Sequence, residues 1–321
     1  MQTKGFTLVE LLVAIAVASI FTTALYMTFN AQQKTYIKNT SVSSIQNTAE
    51  SLLALLKKDL TMAGYGVDKK LAFYIEDGGP NGPDKIFIND RSFIDDKELF
   101  SGYYGETKIT GGSSSSSISV KYLDIDNYIS SLNKCYGNGT NCDEFLGGIS
   151  QYIITDTTSN NKIAKINSIN SNTLSLDRPV NGNYVAPAIF YCVYDEESQD
   201  QECNTINNSS LNVLRRSDRS SGGKVILADQ IVDLQVAYQD NNGNWHCDGH
   251  TGDICPMTPF DPTKIIQIRL TIVVKTKTRY QSSQLKFRPA VENRQAGTIG
   301  DKYTYRKYMA MIIPQNLILE R

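Results

Sequence analysis

The sequence predicts an α+β protein: one long N-terminal α-helix packed on a large β-rich C-terminal head. Three observations lead there. From Phe6 to Ala63 the chain contains neither Gly nor Pro, so nothing in that stretch breaks a helix. Within it, Val42, Ile45, Ala49, Leu52, Leu53, Leu56 and Leu60 recur at steps of three and four, which places one apolar stripe along a helix. Beyond Tyr65, short apolar or alternating runs are separated by turn-forming clusters, the pattern of successive strands.

The helix begins with an apolar run. Phe6 to Phe29 carries a single charge, Glu10. At 1.5 Å per residue this run spans about 36 Å, enough to cross a bilayer with some tilt. A carboxylate that early in an apolar helix costs about 2.5–3.5 kcal/mol even on a lenient insertion scale. A buried charge of this kind calls for a partner. Ahead of the run stands a short polar leader, Met1 to Gly5, with one cation, Lys4. That cation favours an N-terminus inside and a head outside. No A-x-A-like site follows the run, unlike a secretory signal peptide.

The order small residue, Phe, Thr, Leu, Val, Glu, then an apolar run resembles the class III signal of type IV pilin-like proteins. The resemblance implies cleavage between Gly5 and Phe6 by a prepilin peptidase and N-methylation of the new terminal Phe6. It also implies that Glu10 pairs with the Phe6 ammonium of a neighbouring subunit and so sets the subunit register. The organisation it implies is a leader over 1–5, a helix over 6–64 that is transmembrane over 6–29, and a head over 65–321. The first half of the helix would then lie in a filament core, and the second half would pack on the head. Between them, QQKTYIKNTSVSS is polar, with poor helix propensity, and reads as a hinge point. Gly64 and Gly66 are expected to end the helix.

Asp59, Leu60, Met62, Ala63, Gly64 and Tyr65 at the helix end are similar to PilW-type minor pilins, with Tyr65 expected to turn inward. Further on, Leu214, Arg215 and Arg216, then VILADQIVDLQVAYQD and IQIRLTIVVKTKT, resemble strands of that family. The likeness covers the first 68 residues well and about 60 more loosely; residues 70–210 match nothing named. Strands are expected at KIFIND, SISVKYLDI, QYIITDT, KIAKINSI, NTLSLDR, AIFYCVY, LNVLRRS, KVILADQIVDLQVAYQD, KIIQIRLTIVVKTKT and YMAMIIP. GGSSSSS reads as a solvated loop. A division of the head into two lobes, near Gly111 or Asn204, is left open.

Six cysteines fall as three near pairs: Cys135 and Cys142, Cys192 and Cys203, Cys247 and Cys255. An even count on the exported side of a membrane reads as disulfides, and the short loops favour these local pairs. His246, Cys247, His250 and Cys255 could instead supply a zinc site, but their spacing is not that of a standard finger. DNNGNW occupies the place of an Asp-rich loop in the PilW family, where calcium is suggested. Here only Asp240 carries charge, which weakens that reading, and Asn242-Gly243 reads as a hairpin turn.

The formal charge is −1; without Lys4 it becomes −2, from 31 cations against 33 anions. That gives no basic field for nucleic acid, although a local patch is compatible with it. No G-x-S-x-G, P-loop or H-E-x-x-H motif occurs. Asp95-Asp96 and Glu196-Glu197 read as solvated loop charges, and the tyrosines as core and strand-pair aromatics. The chain is therefore expected not to be an enzyme and to need no cofactor.

The expected role is a minor type IV pilin of the PilW kind that takes part in pilus assembly and priming at or near the filament tip. Its expected partners are other minor and major pilins, the prepilin peptidase, the inner-membrane assembly machinery and the membrane itself. It would reside in the inner membrane and then in the pilus at the cell surface. Two alternatives stand beside this. One is a minor pseudopilin of a type II secretion system, whose heads are usually smaller. The other is a tip adhesin or membrane-tethered binding head.

Overall fold

A computed structural model describes residues 7–65, 67–89, 107–112, 114–120, 152–159, 161–170, 173–194, 203, 213–217, 224–250, 253–277 and 284–318. Gly5, Phe6, Gly66, Asp95, Asp96, Cys135, Cys142, Glu196, Glu197 and Asn204 lie outside them.

Helix α1 runs unbroken over Leu8–Thr61. Thr7 caps its start, and Ile45, Ala49, Leu52, Leu53, Leu56 and Leu60 are buried against the head. The stripe read from the sequence is the stripe that packs. The helix stops at a cap on Met62, earlier than Gly64. The chain turns back at Gly64, whose φ is +81°, and a Cβ there would come within 3.1 Å of both Ala72 and Leu317. A side chain would thus meet strain and crowding together. Tyr65 points outward at 47% exposure, against the expected inward turn. Gly64 has already reversed the chain, and Ala63 fills the adjacent core position.

The head is built of fourteen strands among the described residues. Strands β1 (Phe73–Glu76), β2 (Lys85–Asn89), β3 (Thr107–Gly111), β4 (Ser115–Val120), β5 (Tyr152–Thr155), β6 (Ile163–Asn170), β7 (Thr173–Val180), β8 (Tyr184–Tyr194), β9 (Val213–Ser217) and β10 (Lys224–Asp229) share one sheet. Its path is β1-β2-β8-β3-β4-β7-β6-β5, and β5 pairs back onto β8. Strands β8, β3, β4, β7, β6 and β5 therefore close into a ring, which leaves them no free edge. Ile109, Ile118, Val120, Ile153, Ala164, Leu174, Leu176, Val180 and Val185 form the ring's own core. The serine run corrects the sequence reading. Ser115, Ser116 and Ser117 belong to β4, with Ser115 opposite Val180 and Ser117 opposite Ser175. Ring closure supplies backbone partners that a solvated loop would lack. Gly112, at φ +77°, makes the turn before them; a Cβ there would lie 2.0 Å from the Ser117 carbonyl oxygen.

A second sheet holds β11 (Ile231–Asp240), β12 (Trp245–His246), β13 (Ile265–Lys275) and β14 (Tyr305–Ile312) in the order β12-β11-β13-β14. The run KVILADQIVDLQVAYQD is two strands rather than one. Gln230, at φ +68°, ends β10 in the first sheet and starts β11 in the second. The main core joins the α1 stripe to both sheets. Tyr152, Tyr191 and Tyr238 are wholly buried in it. A last short helix, α2 (Gln315–Ile318), returns to the end of α1, where the Asn316 side-chain amide donates to the Met62 carbonyl at 3.0 Å.

Candidate functional site

The N-terminus of α1 is the place where the sequence concentrates chemistry. Thr7 and Glu10 form a reciprocal capping box: Thr7 Oγ1 accepts from the Glu10 N–H at 3.3 Å, and Glu10 Oε2 accepts from the Thr7 N–H and Thr7 Oγ1 at 2.9 Å each. Such a box satisfies helix-end donors and favours an acid in the first turn. It orients the carboxylate but supplies no positive charge to balance it. Around it, Leu8, Val9, Leu11, Leu12, Val13, Ile15, Ile20, Phe21, Leu25, Met27 and Phe29 are all exposed. Among the described residues α1 is the one helix long and apolar enough to cross a membrane. Its hydroxyls are turned inward onto its own backbone. Ser19 donates to the Ala16 carbonyl, Thr22 to Ala18, Thr23 to Ser19 and Thr28 to Ala24, all at 2.7–2.9 Å. That is the arrangement a helix needs where no water is present.

The upper part of the helix is tied to the head by polar contacts as well as by its stripe. The Tyr191 hydroxyl donates to Asp59 Oδ2. The Gly64 N–H donates to Asn89 Oδ1 at 2.7 Å in a buried position.

The cysteine-rich loop does not gather a metal centre from His246, Cys247, His250 and Cys255. Cys247 and Cys255 stand at disulfide distance, with Cα atoms 4.7 Å apart. His246 stacks on Tyr238 and contacts the Ile254 carbonyl at 3.1 Å and Asp240 Oδ2 at 3.3 Å. His250 faces Asp248 instead, and the hydrogen bond to that carboxylate raises its pKa. The ligand atoms that do approach one another, within 4.8 Å, belong to Asp248, His250 and Asp253. They are already committed. Asp253 accepts the N–H groups of Cys247 and Gly249 at 2.9 Å, and Arg269 lies 4.0 Å from Asp248. Asp240 likewise folds back on its own loop, accepting from the Asn242 and Asn244 N–H groups at 2.9 Å, which makes DNNGNW a self-capped hairpin turn. Cys192 and Cys203 stand at disulfide distance too, with Cα atoms 5.9 Å apart.

Two buried polar features escaped the sequence reading. Asp233, fully buried on β11, receives Arg288 at 2.9 Å and Arg294 at 2.8 Å. Burial pushes its carboxyl up, and the two guanidiniums pull against that. Lys162, also buried, donates to the Lys70 and Thr157 carbonyls at 2.5 and 3.0 Å, and burial lowers its pKa to about 8. For Asp233 a signal existed: Asp233 and Gln235 alternate with Leu234 and Val236 in a strand-like run. Lys162, in SNNK, carried none.

Residues 1–26 match the family described as "Prokaryotic N-terminal methylation motif". No curated protein matches the chain. Among solved structures, a type IV-like pilin from Thermus thermophilus is similar over 61% of this chain and 99% of its own, at 11% identity and a TM-score of 0.22.

Proposed function

We propose, from a chain that bears a prepilin-type methylation motif on a long apolar helix joined to a β-rich head and is in that sense type IV pilin-like, that it works as a minor pilin of the PilW kind. The observation that supports this is the N-terminal match over residues 1–26, whose apolar run forms the half of α1 that no described residue of the head covers. In this reading a prepilin peptidase cuts between Gly5 and Phe6, and Phe6 is methylated. The helix holds the subunit in the inner membrane with the head outside. Assembly then transfers the helix from lipid to a bundle of other pilin helices, which buries the same apolar surface. The Glu10 carboxylate, oriented by Thr7, meets the Phe6 ammonium of a neighbouring subunit, and the pair sets the axial register. The partners are minor and major pilins; the head does no catalysis. Its size limits close stacking in a shaft, which favours a low-copy place at or near the tip.

The experiment is Glu10→Ala in the native host, with surface pili counted and the subunit traced in sheared filaments. The expected outcome is loss of incorporation with the head still folded. Unchanged piliation together with normal incorporation contradicts the pairing role.

A further inference from the structure

The chain is nearly neutral overall, yet the end of the second sheet away from α2 gathers cations. Several segments meet there. Lys286 and Asp301 exchange backbone hydrogen bonds at 2.7 and 2.9 Å. Thr276 and Thr304 are joined through two contacts of 3.0 Å. Lys275 lies over the Tyr303 ring at 5.1 Å and opposite Tyr305 in the β13–β14 register. Lys277 reaches Asp229 at 3.0 Å. Among the described residues the cations of this end are Lys275, Lys277, Lys286, Lys302, Arg306 and Lys307, against Asp229 and Asp301, with Glu50 of α1 near Tyr308 farther along β14. Lys302, Arg306 and Lys307 are exposed and make no ion pair among the described residues. The arginines deeper in the sheet are spent elsewhere, Arg288 and Arg294 on Asp233 and Arg269 on Glu292. Leu285, Phe287 and Ile299 stand exposed beside these cations. Phe287 and Leu285 both lie against Gly300, where a Cβ would be 3.0 Å from the Phe287 ring and 3.1 Å from Leu285, and Ile299 directly precedes that glycine.

The place of this patch is what gives it a partner. Strand β14 leads away from it toward α2, and α2 docks on Met62 and Gly64 at the C-terminal end of α1. The patch therefore lies at the opposite end of the sheet, back along α1 toward its apolar half. We infer that it is a docking surface for an anionic lipid bilayer, in which Lys302, Arg306 and Lys307 meet lipid phosphates while Phe287, Leu285 and Ile299 enter the headgroup region. Cations around apolar side chains are the composition that binds such interfaces. The same chain supplies the tether that holds the head near one. From Phe29 to Ile45 an upright helix rises about 24 Å. The patch lies to one side of the helix axis, since β14 packs alongside α1, so a tilt toward that side, within the ordinary range of up to about 40°, brings it closer to the lipid. The head would rest on the membrane until assembly lifts it off.

This inference rests on α1 being the membrane anchor, and co-flotation of the chain with vesicles tests that part alone. The patch is tested by tryptophan fluorescence. Phe287→Trp is placed in a Trp245→Phe background, and the full chain is reconstituted into vesicles of brominated phosphatidylcholine, with or without phosphatidylglycerol. The expected result is quenching that increases with phosphatidylglycerol and disappears in high salt. It also disappears in Arg306→Glu/Lys307→Glu, but persists in Lys108→Glu/Lys264→Glu, which makes the same charge change at exposed sites elsewhere. Co-flotation without quenching, quenching that ignores lipid charge, or equal quenching in both double variants overturns the proposal.

Discussion

The two halves of α1 share a backbone and differ in every other respect. Above Ile45 one apolar face is buried and the other is polar, and the helix is complete within its own chain. Below Phe29 the apolar residues point in all directions and, among the described residues, none is covered. A helix apolar all round belongs inside lipid or inside a bundle. The upper half thus belongs to the architecture of the head, and the lower half to an environment that other molecules provide.

This difference can be broken at its strongest point first. Leu56→Ala removes a fully buried side chain at the helix–head contact and is expected to cost about 2–5 kcal/mol, read as a lower denaturation midpoint of the head in detergent. Leu12→Ala, in the lower half, is expected to leave that midpoint unchanged. If both variants shift it equally, the two halves are not energetically separate.

A pH experiment sharpens the same contrast, because it reads the head alone. Lys162 is lowered to about 8 from an ordinary 10.5, so the folded head holds its proton less tightly than the unfolded chain does. Below about pH 8 both states are protonated and the penalty is complete. As pH rises from about 8 toward 10.5 the folded state sheds its proton first, and stability rises by up to about 3 kcal/mol. Lys162→Met is expected to flatten this rise, measured by urea unfolding across that range. The wild-type slope is expected to be the same in detergent and in a bilayer.

Two smaller effects lie at the junction. Gly64→Ala forces a side chain into left-handed backbone and against Ala72 and Leu317, a loss of about 1–2 kcal/mol. Tyr191→Phe removes the donor to Asp59 and is expected to cost about 1 kcal/mol. Both are read in the thermal unfolding of the head, and neither should alter membrane insertion.

The helix was legible because its signals are local. A stretch without Gly or Pro, an apolar stripe and a lone glutamate can all be read within a few turns. Most strands were legible for the same reason. What stayed hidden depends on distant pairing. Phe73–Glu76 has no alternation, since Phe73, Tyr74 and Ile75 are all buried. The strand character of Ser115–Ser117 comes from partners on β7. The switch between sheets at Gln230 uses a left-handed residue of a type that does not announce a turn. The link from Asp233 to Arg288 and Arg294 spans 55 and 61 residues. At the candidate site, the motif around Glu10 was plain in the sequence, whereas the basic end of the second sheet was not. Its cations are scattered from Lys275 to Lys307 and come together only through strand pairing.

The proposed pilin role depends most on what happens to the first residues. The direct measurement is mass spectrometry of the intact protein purified from its own cells. A chain that begins with N-methylated Phe6 is the predicted result. A chain that retains Met1 through Gly5 while it is incorporated and working would contradict it.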